Sequence, residues 1–243
     1  MSIASEITRL QTAKAGLKTA IEGKGVTVSS SALLDDYPDL VDAIQTGGGG
    51  TDYLLQRITN TLASYTADLD NKTIQGRALS NVTALTALHL SGVKNVSNYS
   101  IDGCDHLETA VIKFYAQNSD AALGVQAMAG CTRMTTLDVS NCKAINSQAF
   151  NNSAALATII LRGSLVTSLN AVAAFNGTPF KSGGTGGTIY IPKSLYDHLG
   201  DGTSSDYKAA SNWSTINGYG TITWAKIEGS YYETHYADGT VIS

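Results

Sequence analysis

The chain has 243 residues, enough for one large domain or two small ones with a proper buried core, so size alone demands no disulfide or metal staple. With 15% charged residues, a formal net charge of −4 and a pI near 5.5, it lacks the basic excess that phosphate neutralisation needs, and nucleic acid is not an expected partner. Twenty-four glycines against three prolines, with no long charge run, describe a tightly turned and mildly polar chain rather than a disordered one.

The opening MSIASEITRLQTAKAG contains no continuous apolar core, and no 18 consecutive apolar residues occur anywhere. A soluble, cytosolically made protein without a secretory signal or membrane span is the expectation. Residues 3–22 place Ile3, Ile7, Leu10, Leu17 and Ile21 at heptad positions, interrupted by Lys14, and stop at Gly23. Three heptads make a weak coiled coil alone, so the seam is expected to pack on partners. Val26-Thr-Val28 reads as a short strand and Ser29–Ser31 as a cap. Leu33, Tyr37, Leu40 and Ile44 form a second apolar stripe, with Pro38 opening its last helix, before a Gly47–Gly50 linker. On these residues the segment 1–46 resembles the N-terminal attachment module of structural proteins from phages and phage-like tails of Gram-positive bacteria. The resemblance implies attachment to other phage structural proteins and a homo-oligomer in the particle; an ordinary dimerisation hairpin is the alternative reading.

Beyond the linker, five short stretches align: Ala78-Leu-Ser-Asn-Val82, Ser100-Ile-Asp-Gly-Cys104, Ala127-Met-Ala-Gly-Cys131, Ala149-Phe-Asn-Asn-Ser153 and Ala174-Phe-Asn-Gly-Thr178, starting 22, 27, 22 and 25 residues apart. Three residues after each of the first four comes an apolar anchor, Leu85, Leu107, Met134 or Leu156. An alternating pair then follows: Leu88 and Leu90, Ala110 and Ile112, Leu137 and Val139, Ile159 and Leu161. In the fifth unit Ile189 and Ile191 follow a glycine-rich insertion, Lys181–Gly187. One strand and one return segment per unit make a solenoid coil, whose neighbours bury what a single coil leaves exposed. Strand alternation sends Leu137 and Val139 inward and Asp138 outward.

Cys104 and Cys131 fall where other units carry Val82, Ser153 and Thr178, a position that asks for a small buried group. Cys142 has no such counterpart. The C-x10-C spacing lacks the half-sites of a zinc centre, so no metal and no cofactor is expected. The Ala-Phe-x-x-Cys-x-x-Leu-x-x-Leu-x-Leu cadence resembles the BspA-like leucine-rich repeats of bacterial and phage surface proteins over about 74–195, although Ile191-Pro192 alone preserves the family's Ile-Pro and Ala110 replaces a large residue. Residues Tyr53–Tyr65, within an N-terminal cap at 51–73, resemble the lead-in to such repeats. Asp206–Ser214, with Trp213 as anchor, resembles the helix that closes them.

Aromatic residues gather in 190–243. Tyr190, Tyr219, Trp224, Tyr231, Tyr232 and Tyr236 form the candidate binding surface, since rings with a polar tip suit interfaces and sugars. Alternation in Thr221–Ile227 and Ser230–Tyr236, with a turn at Asp238-Gly239, predicts a β-hairpin within a C-terminal cap at 196–243. His89 is expected to face outward, and His106, His198 and His235 lie apart in turns and caps. No nucleophile elbow, carboxylate pair or phosphate loop frames them, so no catalytic residue is assigned.

The expected fold is thus α+β: an N-terminal helical, coiled-coil-like attachment module, a short leucine-rich-repeat β-solenoid and a C-terminal aromatic hairpin cap. The expected function is a non-enzymatic virion structural protein of tail-fibre or baseplate type that binds a host cell-surface protein or glycan through its repeat and C-terminal regions. A capsid decoration or head-fibre protein and a bacterial surface adhesin are the alternatives.

Overall fold

The computed structural model describes residues 3–22, 28–29, 31, 63–163, 165–169, 171–210 and 212–242. The chain divides into two compact units, Met1–Leu54 and Leu55–Ser243. In the first, a helix runs over Ile3–Glu22. Its Leu17 is 40% exposed, whereas Ile21 is buried, as is Val28, which stands outside any strand. The side chains of Ile3, Ile7 and Leu10, and all of Leu33, Tyr37, Leu40, Ile44 and Gly47–Gly50, lie outside the described residues.

The second unit is a parallel β-solenoid of about five turns with few helices among the described residues. Its principal strands are β1 (Ser64–Ile74), β2 (Ala87–Val96), β3 (Thr109–Phe114), β5 (Thr136–Ser140), β7 (Thr158–Arg162), β9 (Gly187–Ile191) and β10 (Ile222–Lys226). They stack in parallel in that order. The short strands β4 (Ala122–Leu123), β6 (Ala144–Ile145) and β8 (Ser168–Leu169) extend from the far end of β2 and form a second, narrower wall.

Register turns the sequence repeat into columns. Leu88, Ala110, Leu137, Ile159 and Ile189 lie side by side, and so do Leu90, Ile112, Val139 and Leu161. These residues, together with Ile191 and the anchors Leu85, Leu107, Met134 and Leu156, are buried inside the coils. The opposite wall is filled by Leu79, Ile101, Met128, Phe150 and Phe175. Because successive coils stack about one strand spacing apart with their inward columns in register, side chains of one coil fill the gaps left by the next.

The fourth residue of every unit, Asn81, Gly103, Gly130, Asn152 and Gly177, has a left-handed backbone. Asparagine and glycine tolerate that region, which explains the turn formers at this column. At Gly177 the neighbouring coil adds a steric demand: a Cβ would lie 2.6 Å from Asn152 Oδ1 and 3.0 Å from the Asn152 backbone. Gly183 has a similar left-handed φ but nothing within 4 Å. Gly177→Ala is therefore expected to cost about 2–3 kcal/mol and Gly183→Ala about 1 kcal/mol, read from the unfolding midpoints of the two variants. Equal losses would show that stacking at the turn column imposes nothing.

The next column explains the cysteines further. Cys104 Sγ donates to Leu79 O at 2.9 Å, Cys131 Sγ to Ile101 O at 3.3 Å and Ser153 Oγ to Met128 O at 2.8 Å. Each donor thus meets the carbonyl of the preceding coil, where an unpaired acceptor would be costly. Val82, in the first aligned unit, carries no side-chain donor at this position. Burial pushes the Cys104 and Cys142 thiols up to about 12 and Cys131 well above its ordinary value. All three thiols are expected to resist a maleimide or an aromatic disulfide reagent at pH 8 and to react only once urea unfolds the chain, because the thiolate is the nucleophile. Stoichiometric labelling of folded protein would contradict this.

The C-terminal region departs from the expected hairpin. β10 adds in parallel to β9, carrying the ladder one strand further, rather than pairing with 230–236. An open edge strand offers a full row of unmet backbone groups, and the crossover through 192–221 is long enough for parallel addition. Tyr231–Glu233 is a 3-10 turn, and among the described residues antiparallel pairing is confined to the bridge His235↔Val241 about the Asp238-Gly239 turn. In the crossover, buried Trp213, in the short helix Trp213–Asn217, donates to Val166 O at 3.1 Å. Tyr207 OH accepts from Val166 N at 2.9 Å, and Phe150, Phe175, Trp213, Tyr207 and Trp224 form a continuous ring contact over the last coils.

Candidate binding face

Alternation that sends the leucines inward sends three further columns out of the coil. The first is a threonine ladder, Thr109, Thr136, Thr158, Thr188 and Thr223. The second holds His89, Val111, Asp138, Ile160 and Tyr190, and the third includes Lys113, Ser140 and Arg162. Outward-facing Val111, Asp138 and Ile160 are nonetheless fully buried. The cover is the chain's own segment 231–241, which crosses β7, β5, β3 and β2 as a strap. The outward orientation expected for Asp138 and His89 thus coexists with burial, because Ala237, 99 residues beyond Asp138, and Asp238, 149 residues beyond His89, lie over them.

Arg162 and Asp138 hold this strap by its main chain. Their guanidinium and carboxylate meet in a two-point pair, Nε to Oδ1 at 2.7 Å and Nη2 to Oδ2 at 2.8 Å. Arg162 also donates from Nη1 to Tyr232 O at 2.7 Å and from Nη2 to His235 O at 2.9 Å. Ala237 N donates to Asp138 Oδ2 at 3.0 Å. Four of the five guanidinium N–H groups are thereby used. Asp138 and Arg162 lie diagonally on adjacent strands, since Asp138 pairs with Ile160 and Ser140 with Arg162. Burial raises the Asp138 carboxyl, and Arg162 draws it back down without restoring its ordinary value.

Side chains fix the strap's register. The Tyr236 ring lies 4.8 Å from Lys113 Nζ and 5.0 Å from Arg162 Cζ, with the His89 ring edge-on at 5.2 Å. Such cation–ring contacts strengthen where water is excluded. Asp238 Oδ2 is 2.7 Å from His89 Nδ1. Burial acts to raise the Asp238 carboxyl, but the Thr240 N–H and His89 outweigh it and hold the group below its ordinary value.

The residues singled out by sequence divide between two places. Tyr190 and Tyr232 meet edge-on at 4.8 Å, Tyr231 stacks on His235 at 4.4 Å, and Tyr231 remains 56% exposed; with buried Tyr236 they belong to the strap face. Tyr219 and Trp224 pack partly buried on the core at the end of the stack. Trp224 also lines a surface cleft of about 520 Å³ with Tyr196, Lys208 and Asn217. Among the described residues no three His, Cys, Asp or Glu side chains are placed to hold a metal ion, and no helix is long and apolar enough to cross a membrane. Sequence reasoning missed Lys113, Arg162 and Asp238. The diagonal of opposite charges at Asp138 and Arg162, 24 residues and one coil apart, was the readable signal.

A parallel stack with inward leucine columns and left-handed turn positions is a leucine-rich repeat protein. The chain belongs to the BspA-type leucine-rich repeat family, whose repeat profile matches residues 56–180 in six copies. The matched span includes β1, which pairs in parallel with β2. No curated protein matches the chain.

Proposed function

We propose that the protein is a non-enzymatic, surface-binding leucine-rich repeat protein and, more narrowly, a virion structural protein of tail-fibre or baseplate type. The observation that carries the binding part is the outward sheet face, where a threonine ladder runs beside Tyr190, Tyr231 and Tyr232. Hydroxyl and aromatic groups on a rigid sheet suit a protein or glycan on a cell surface. The virion part rests on the resemblance of residues 1–46 to phage attachment modules, with the helix Ile3–Glu22 supplying a seam for other particle proteins. An adhesin-like role outside a virion rests on the same outward face and differs only in what the N-terminal unit joins. The protein would reside in the particle, several copies together, so that weak contacts gain by avidity.

Deleting 1–46 tests the assignment. The remaining chain is expected to stay folded and to bind cells, yet to be absent from purified particles, as read by immunogold labelling with an antibody to 190–243. Normal incorporation of the deleted chain would place attachment in the repeats, and absence of the full chain from any particle would leave the adhesin-like reading.

A further inference from the structure

The crossover that carries the chain from β9 to β10 leaves a surface cleft of about 520 Å³ beside the last strand. That size falls within the roughly 300–1,000 Å³ of small-ligand sites. The cleft is lined by Tyr196 and Lys208 of the crossover, by Asn217 at the end of the helix Trp213–Asn217, and by Thr223 and Trp224 of β10. None of its lining residues belongs to the strap, so it is a place separate from the face that the strap covers.

The aromatic wall of the cleft is held rigid. Tyr207, itself buried, stacks on the Trp224 ring at 5.3 Å and 29°, and Trp224 Nε1 donates to Asn217 Oδ1 at 3.0 Å. With one ring face covered and its N–H used, Trp224 offers the cleft a fixed apolar surface that has no polar need of its own. The same bond sets the Asn217 amide. Its oxygen is the acceptor, so the two Nδ2 N–H groups are left for another acceptor. Thr223 is exposed and adds a hydroxyl. Lys208 is exposed as well and makes no ion pair among the described residues, and no residue lining the cleft is acidic.

A fixed aromatic surface beside an amide, a hydroxyl and an unmatched cation is the complement of an acidic sugar. The C–H faces of a sugar ring carry no hydrogen-bonding groups and suit an aromatic plane, while its hydroxyls need donors and acceptors in set directions. The cation asks for a negative group on the same ligand. We infer that this cleft binds a sugar residue that carries a carboxylate, with the sugar ring against Trp224, its hydroxyls at Asn217 and Thr223 and its carboxylate at Lys208. Because the indole and the amide are fixed before the ligand arrives, little ordering is lost on binding. The inference rests on the surface-binding reading for where such a sugar is met, whereas the chemistry of the ligand comes from the cleft alone.

The test uses the full chain and a panel of short oligosaccharides ending in uronic or sialic acids, each beside its carboxyl-reduced, neutral form. At least one acidic member is expected to bind saturably, by saturation-transfer NMR and by a change in tryptophan emission. The emission change reports the cleft, since Trp213 is buried and Trp224 lines it. Reducing the carboxyl, or changing Lys208 to alanine, is expected to weaken that binding at least ~10-fold. Thr223→Tyr, which fills the cleft and leaves Lys208 in place, is expected to abolish it. Both positions are exposed, so both variants are expected to melt with the wild type. No saturation by any acidic member, equal binding of the neutral forms, equal binding of acetate or of an acidic tetrapeptide, or an unchanged affinity in Lys208→Ala or Thr223→Tyr overturns the inference. Cells that bind the chain although every saccharide fails leave the surface-binding reading standing and overturn this one; a saccharide that binds a chain to which cells do not adhere does the reverse.

Discussion

Replacing Leu137 with aspartate is expected to abolish cooperative unfolding of the repeat unit, whereas Asp138→Ala is expected to leave the stack folded and loosen only the strap. Leu137 is fully buried and sits in register between Ala110 and Ile159, in the middle of the stack. A carboxylate there has no partner, and burying it costs several kcal/mol in addition to the roughly 2–5 kcal/mol lost with a core leucine. The whole stability of a domain is only about 5–15 kcal/mol. In a solenoid the damage spreads, because each coil is held mainly by its two neighbours and a break at the centre separates the halves. Circular dichroism melts of both variants decide the matter. A Leu137→Asp chain that melts like wild type would mean that the inward register is wrong.

The parts of this fold that were legible in the sequence are those whose physics is local or periodic. Strand alternation and the 22–27-residue unit place Leu88, Leu137 and Ile159 without knowledge of any long-range contact. Smallness at Cys104 and Cys131 was readable in the same way, but the donation of each side chain to the preceding coil was not, since register between coils decides it. The strap was not legible for a related reason. Its strongest contacts run from Arg162 and Asp138 to backbone groups at Tyr232, His235 and Ala237, and a main-chain partner leaves no mark on residue type. The alternation in 221–236 fits a hairpin equally well locally. What displaced that pairing was the open edge of β9, a feature that exists only once the coils are stacked.

Arg162→Ala is expected to be the most damaging change on the outward face, and more damaging than the double change Asp138→Ala with Arg162→Ala. Removing the cation alone leaves the Asp138 carboxylate buried with only the Ala237 N–H. Breaking a buried pair from one side typically costs about 3–5 kcal/mol, whereas removing both charges avoids the orphan. The strap provides a partial escape, because lifting it returns water to the carboxylate; faster proteolysis within 228–241 should therefore accompany the lower melting temperature. The pH dependence separates this cause from lost packing. Burial already raises the Asp138 carboxyl in the wild type, against the pull of Arg162, so the variant's carboxyl must rise further. A folded state that holds the proton more tightly than the unfolded one gains stability as pH falls through the raised value, and the gain is complete below the ordinary aspartate value of about 3.9. Asp238 acts in the opposite sense, its contribution being present above the ordinary value and lost as pH falls through its lowered one. That loss is common to both proteins where the strap is docked and drops out of their difference. The gap between wild type and Arg162→Ala should accordingly narrow as pH is lowered from 7 toward 4, while the gap to the double variant, which lacks the carboxyl that is already raised in wild type, does not narrow. A gap in Arg162→Ala that does not change with pH would show that Arg162 matters through packing and its contacts to the strap backbone, with no charge left stranded at Asp138.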